Sequence, residues 1–202
     1  MDSKVVYQFK VELSGIKPLI WRLIEVPSDY SFWDLHVAIQ DSMGWLDYHL
    51  HSFSLHSPFN KKKIEIGIPE GEFDTTILPG WNIPINQFFK EPGNEMVYDY
   101  DFGDGWSHKV ILMGMFLKQN RKKLPVCIDG ERACPPEDCG GVPGYYNLID
   151  ILKDKSNEDH KEMISWLKHH AKNYHPYLQE YFDPKKIKFT NPTARLKKMM
   201  EA

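Results

Sequence analysis

The run Tyr98-Asp99-Tyr100-Asp101-Phe102-Gly103-Asp104-Gly105-Trp106-Ser107-His108 organises the rest of the chain. Tyr98, Tyr100 and Phe102 alternate with Asp99 and Asp101, the period of a strand with one aromatic face. Gly103-Asp104-Gly105 supplies residues that tolerate positive φ, as a tight hairpin requires. Beyond the turn, Trp106, His108, Val110 and Leu112 share one face of a returning strand, and Ser107, Lys109 and Ile111 share the other. The expectation is a ribbon whose tip gathers acidic groups, a tryptophan and a histidine. Asp101-Phe102-Gly103 matches the kinase magnesium tripeptide in letters alone, since neither a glycine-rich loop nor a catalytic-loop signature precedes it.

Working outward, Val5, Tyr7, Phe9, Val11 and Leu13 alternate with more polar residues and predict a half-buried strand. A turn over Ser14–Pro18 leads to a second strand from Leu19 to Val26. Ser31 with Asp34 three residues on resembles a capping box. The helix it opens aligns Phe32, Leu35, His36, Ile39 and Met43 and stops at Gly44, a natural left-handed cap. His36 on that stripe reads as a core histidine with its bonds satisfied. In Tyr48-His49-Leu50-His51-Ser52-Phe53-Ser54-Leu55, a strand would put His49, His51, Phe53 and Leu55 on one face. The two imidazoles are either structural or a ligand pair, since His-x-His is a metal-ligand spacing.

Ser57 to Gly93 is turn-rich, with one short strand at Ile64, Ile66 and Ile68. On the far side of the hairpin, Cys127 to Gly144 holds four glycines and three prolines in eighteen residues, which argues against regular structure there. A helix using Tyr145, Leu148, Ile149, Ile151 and Leu152 follows. Another aligns Met163, Trp166, Leu167 and His170, with His169 and His170 near its C-terminus, where positive charge is favoured. A basic helical tail, residues 190–202, closes the chain behind a domain spanning 1–189.

At 202 residues the chain fits one domain, long enough to bury roughly 70% of its extended surface. A net charge of −3 disfavours a surface that grips nucleic acid all over. No run reaches the roughly 18 apolar residues of a membrane span, so no membrane partner is expected. Three cysteines, an odd number, suit a reducing compartment, and the expected location is cytoplasmic.

Three segments carry ligand-type residues: His49 and His51; Asp104 and His108; and Cys134, Glu137, Asp138 and Cys139. Imidazole and thiolate together suit Zn or Fe better than Mg or Ca, making His49, His51, His108, Cys134 and Cys139 candidate metal ligands. Cys134 and Cys139 alternatively read as a reversible redox pair or as two thiols locking a loop by packing. The sequence lacks the zinc deaminase pattern, His-Glu-x-x-His, a Walker A loop, Gly-x-Ser-x-Gly and a Rossmann fingerprint.

Several of these stretches are similar to those of a known family. They are Ile16-Lys17-Pro18 with Ile20-Trp21-Arg22, Asp34-Leu35-His36 through Gln40, Gly44-Trp45 with Tyr48 to Phe53, the hairpin Tyr98 to His108, Ala133 to Gly141, and Tyr181-Phe182-Asp183. Together they resemble the plasmid pRi ORF-3-like family, over about Val5 to Asp183. The resemblance implies an intracellular α+β domain, some relatives of which travel with mobile elements and are labelled resolvase-like accessory proteins. It brings no catalytic residues with it.

The expected fold is α+β: a twisted antiparallel sheet of about five or six strands, a helix on one face and C-terminal helices beside it. Three functions fit. The first is a binding or adaptor domain for a small molecule or protein, with Tyr100, Trp106 and His51 lining its site and the Gly/Pro/Cys loop beside them. The second is a metal-dependent, hydrolase-like enzyme with Asp104 or Glu137 as general base. The third is a DNA-transaction accessory protein, which needs Lys61–Lys63, Arg121–Lys123 and Lys197–Lys198 on one face.

Overall fold

Tyr7, Phe9, Val11 and Leu13 are buried while Lys10 and Glu12 between them stay partly exposed, so β1 (Val5–Leu13) turns one face to the core. The computed structural model describes residues 4–56, 62–69, 71, 76–119 and 123–201. In it β1 pairs antiparallel with β2 (Ile20–Pro27), Leu13 opposite Ile20. The other strands are β3 (His51–His56), β4 (Lys63–Gly67), β5 (Ile77–Pro79), β6 (Glu95–Tyr100), β7 (Trp106–Leu117) and β8 (Val126–Glu131). Among the described residues they form one eight-stranded sheet in the order β5-β4-β3-β6-β7-β1-β2-β8.

This corrects the expected antiparallel sheet of five or six strands. The sheet is mixed, because β4 and β5 run parallel. β5 is three residues long and ends in proline, leaving no period to read. β8 lies where glycine and proline argued against regular structure, yet it pairs with β2 through a register shift between Leu23 and Ile24. Gly130 marks why glycine is there: a Cβ would meet Phe182 at 2.6 Å and the Trp21 carbonyl at 2.7 Å.

Local signals hold well for the first helix, α1 (Phe32–Met43). Ser31 Oγ accepts from Asp34 N–H at 3.1 Å, and the Asp34 carboxylate accepts from Ser31 N–H at 2.8 Å. Gly44 ends it at φ 89°. The buried stripe Phe32, Leu35, His36, Ile39 and Met43 faces the sheet, and α1 packs on β2 and β4. Helices α2 (Gly141–Lys153) and α3 (His160–His169) pack on each other, burying Tyr145, Leu148 and Leu167. The last helix, α4 (Pro192–Met200), is capped by Asn191 and lies on α1.

Among the described residues Arg22 is buried without a carboxylate partner. Its guanidinium donates to the carbonyls of Ser42, Trp21, Glu131 and Arg132 and stacks on Phe182, 3.8 Å away. One side chain thus ties the end of α1 to the end of β8. Of the basic runs, Lys61, Arg121 and Lys122 lie outside the described residues. Lys63 pairs with Glu65 and Lys197 with Glu201. No helix among the described residues is long and apolar enough to cross a membrane.

Candidate functional site

Strands β6 and β7 stay paired as far as Tyr100 opposite Trp106, so the turn comprises Asp101 to Gly105. Asp101 adopts φ 54°, and its Oδ1 accepts from the N–H groups of Gly103 at 3.0 Å and Asp104 at 3.2 Å. Phe102 therefore leaves the aromatic face and is 59% exposed. On the neighbouring strand, His51 stands opposite Tyr100, and Asp101 N–H donates to the Leu50 carbonyl at 3.0 Å. That register carries His49 to the hairpin tip.

The cysteine loop closes on the same end of the sheet. Glu137, fully buried, accepts from the Tyr100 hydroxyl and from Leu46 N–H at 2.7 Å. Burial, and then this carboxylate, push the Tyr100 phenol well above its ordinary pKa. Trp45 stacks on Tyr100 with centroids 5.0 Å apart and donates its indole N–H to the Pro135 carbonyl at 3.0 Å. Asp104 Oδ2 accepts from Gly140 N–H at 3.1 Å. A Cβ on Gly141 would fall 2.2 Å from the Asp104 carbonyl oxygen, so this junction closes only on glycine. The three segments singled out in the sequence converge.

At their meeting point His49 Nε2 lies 3.0 Å from Asp138 Oδ1 and 3.6 Å from Asp101 Oδ2. Possible ligand atoms of these three residues all lie within 4.8 Å of one another. Donors bound at about 2.0–2.2 Å to one first-row metal stand roughly 3–3.5 Å apart, so the spacing matches a coordination shell with slight closure. Asp101 is buried, while His49 is 32% and Asp138 50% exposed by side chain, leaving one side open to water. Asp138, like Asp101, sits on a left-handed backbone, at φ 58°.

His170 stands behind Asp138, with Nε2 3.7 Å from Oδ2. Its Nδ1 accepts from Lys172 N–H at 3.3 Å, which leaves Nε2 as the ring nitrogen nearer the carboxylate. At 3.7 Å His170 lies next to Asp138 without a hydrogen bond to it.

The remaining candidates lie elsewhere. His51 is in the core, stacked on His36 with ring centroids 3.5 Å apart, and burial followed by His36 holds its pKa well below the ordinary value. His36 itself is satisfied by Asp47 at 2.9 Å and the Tyr98 hydroxyl at 2.8 Å. His108 Nδ1–H donates to the Tyr98 carbonyl at 3.2 Å, and burial depresses its pKa to about 3. Trp106 is buried, and Tyr100 spends its hydroxyl on Glu137. Burial pushes Cys134 and Cys139 up to about 12, so both are thiols at neutral pH. Of the five proposed ligands, His49 is the one in the three-residue group. Asp101 was not singled out for this role from the sequence. The signal for Asp101 is an aspartate at a strand end two residues before a glycine, where an Asx turn fixes the carboxylate's direction.

Comparison with known proteins agrees with this architecture. The profile of the plasmid pRiA4b ORF-3-like protein family matches residues 5–189. The uncharacterised protein y4hQ of Sinorhizobium fredii is 29% identical over 162 residues, covering 80% of each chain. A crystal structure of a protein of unknown function from Methanosarcina mazei Go1 superposes with a TM-score of 0.81 at 38% identity, covering 93% of this chain and 99% of that one.

Proposed function

Because the chain belongs to the plasmid pRiA4b ORF-3-like family, whose two relatives compared above carry no assigned activity, we propose a function from the chemistry of the site: one divalent metal ion bound by His49, Asp101 and Asp138, serving hydrolysis. The observation that supports it is the convergence of one imidazole and two carboxylates from three separate segments within 4.8 Å. One nitrogen with two oxygens and no thiolate suits Zn²⁺, Fe²⁺ or Mn²⁺. Three protein donors leave coordination positions for water on the open side, and a metal ion makes such water a nucleophile near neutral pH. Asp104 holds the cysteine loop against the hairpin. Glu137, buried and doubly bonded, anchors the loop. The hairpin tip and the Gly/Pro/Cys loop become the rim of the centre, where the binding role expected of them joins the metal chemistry.

The test is elemental analysis of untagged protein purified without chelator, followed by calorimetric titration of chelator-treated protein with Zn²⁺ and Mn²⁺. One ion per chain is expected, lost in His49→Ala and Asp138→Asn and retained in Cys139→Ala. A folded His49→Ala variant that binds metal as the parent does would overturn the assignment, as would a parent that binds neither ion.

A further inference from the structure

Beside this centre the segment Leu46 to Leu50 and helix α4 enclose a cleft of about 340 Å³, within the range of small-ligand sites. Its apolar lining includes the buried Trp33 and the exposed Tyr48 (64%) and Leu50 (47%). Its polar side is Arg195 and Lys198, three residues apart and hence neighbours on α4. Asp47 also reaches the wall, but one of its oxygens meets His36 Nε2 at 2.9 Å and the other meets Arg195 Nε at 3.2 Å. Arg195 is further held by Asp41 at 3.2 Å. Lys198 has no ion-pair partner among the described residues and is exposed, so its ammonium is the cation of the cleft that no carboxylate engages. His49 lines the same cleft, which therefore opens beside the proposed metal ligands.

The geometry points to this cleft as the binding site of a small organic anion, its flat apolar body against Tyr48 and Trp33 and its acidic head on Lys198. Exposed aromatic surface and an ammonium that no carboxylate engages, lining one cleft, select such a molecule over a neutral or cationic one. The inference deepens the metal reading by naming a substrate class, and it rests on that reading only in treating the bound anion as substrate. Binding in the cleft needs no metal.

The experiment titrates the full chain, in the presence of a chelator, with 1-naphthyl phosphate and with 1-naphthol, two probes that share a ring system and differ in charge. The phosphate ester is expected to bind about fivefold or more tightly than the naphthol, the scale of one exposed ion pair. Lys198→Glu abolishes that preference, Tyr48→Ala weakens both probes, and Lys155→Glu, a charge reversal outside the cleft, changes neither. Equal affinity for the two probes, no binding of the phosphate ester, or an unchanged preference in Lys198→Glu overturns the proposal. Metal uptake by the parent and its His49→Ala variant is read separately, so failure of one assignment leaves the other standing.

Discussion

His108 sits in the core with Nδ1–H on the Tyr98 carbonyl at 3.2 Å, and burial holds its pKa down at about 3; His51 is depressed for the same reason, with His36 stacked on it adding to the effect. In the unfolded chain both titrate near 6.5. A depressed folded pKa means that the unfolded state binds more protons below pH 6.5, so stability is fully present above that value. It falls as the pH drops towards the folded pKa. His108 alone gives a slope of about 1.4 kcal/mol per pH unit between roughly pH 6 and 4, and His51 acts in the same direction. Urea unfolding of the parent and of His108→Gln at several pH values measures this. The variant is expected to lose about 1.4 kcal/mol per unit of slope, and parallel profiles would show that His108 does not titrate this way. At this scale the residue types were legible and their roles were not. His51 and His108 carry the side chains of ligands, but the strand faces they occupy are desolvated and packed, which leaves His49, just outside the strand, beside the carboxylates.

Between elements, the decisive contact is the hairpin turn against the cysteine loop. Gly141 has φ 65°, and a Cβ there would come 2.2 Å from the Asp104 carbonyl oxygen, so a side chain must separate the turn from the loop. Gly141→Ala is expected to cost about 2 kcal/mol or more, combining a left-handed backbone with a steric clash, and to weaken metal binding by displacing Asp138. Gly93→Ala, with φ 92° but nothing within 4 Å of the new Cβ, should cost roughly 1 kcal/mol from backbone alone and leave metal binding unchanged. Denaturation midpoints and metal titrations on both variants compare them; equal effects would remove the junction from the argument. The individual elements were largely readable: the capping box of α1, the alternation of β1 and β7, the apolar stripe of α2. β8 was not, because its ladder to β2 comes from a partner more than a hundred residues earlier rather than from its own glycine-containing sequence.

For the whole molecule, α4 lies beyond the residues matched by the family profile yet is tied into the body of the domain. Trp33 Nε1–H donates to the Pro192 carbonyl at 2.9 Å, and Asp41 accepts from Thr190 N–H at 2.7 Å. Arg195 bridges Asp41 and Asp47. Ending the chain after Phe189 uncovers Trp33 and leaves both aspartates without their cation. A loss of about 1–3 kcal/mol with the fold retained is expected, together with loss of the preference for 1-naphthyl phosphate. Circular dichroism, chemical denaturation and the probe titration read these outcomes, and a truncated chain as stable and as selective as the parent would make α4 an appendage.

The sequence by itself determined the α+β class, the hairpin, the capped first helix, the buried faces and the family motifs, because each follows from a period or a cap within a few residues. It also singled out three segments that carry ligand-type residues. Only the tertiary structure decided which of their side chains meet. That choice depends on the β3–β6 register, on left-handed turns at Asp101 and Asp138, and on glycines that let two carbonyl-lined loops touch. Contacts across such separations are set by packing and desolvation of the assembled core, which no local pattern encodes.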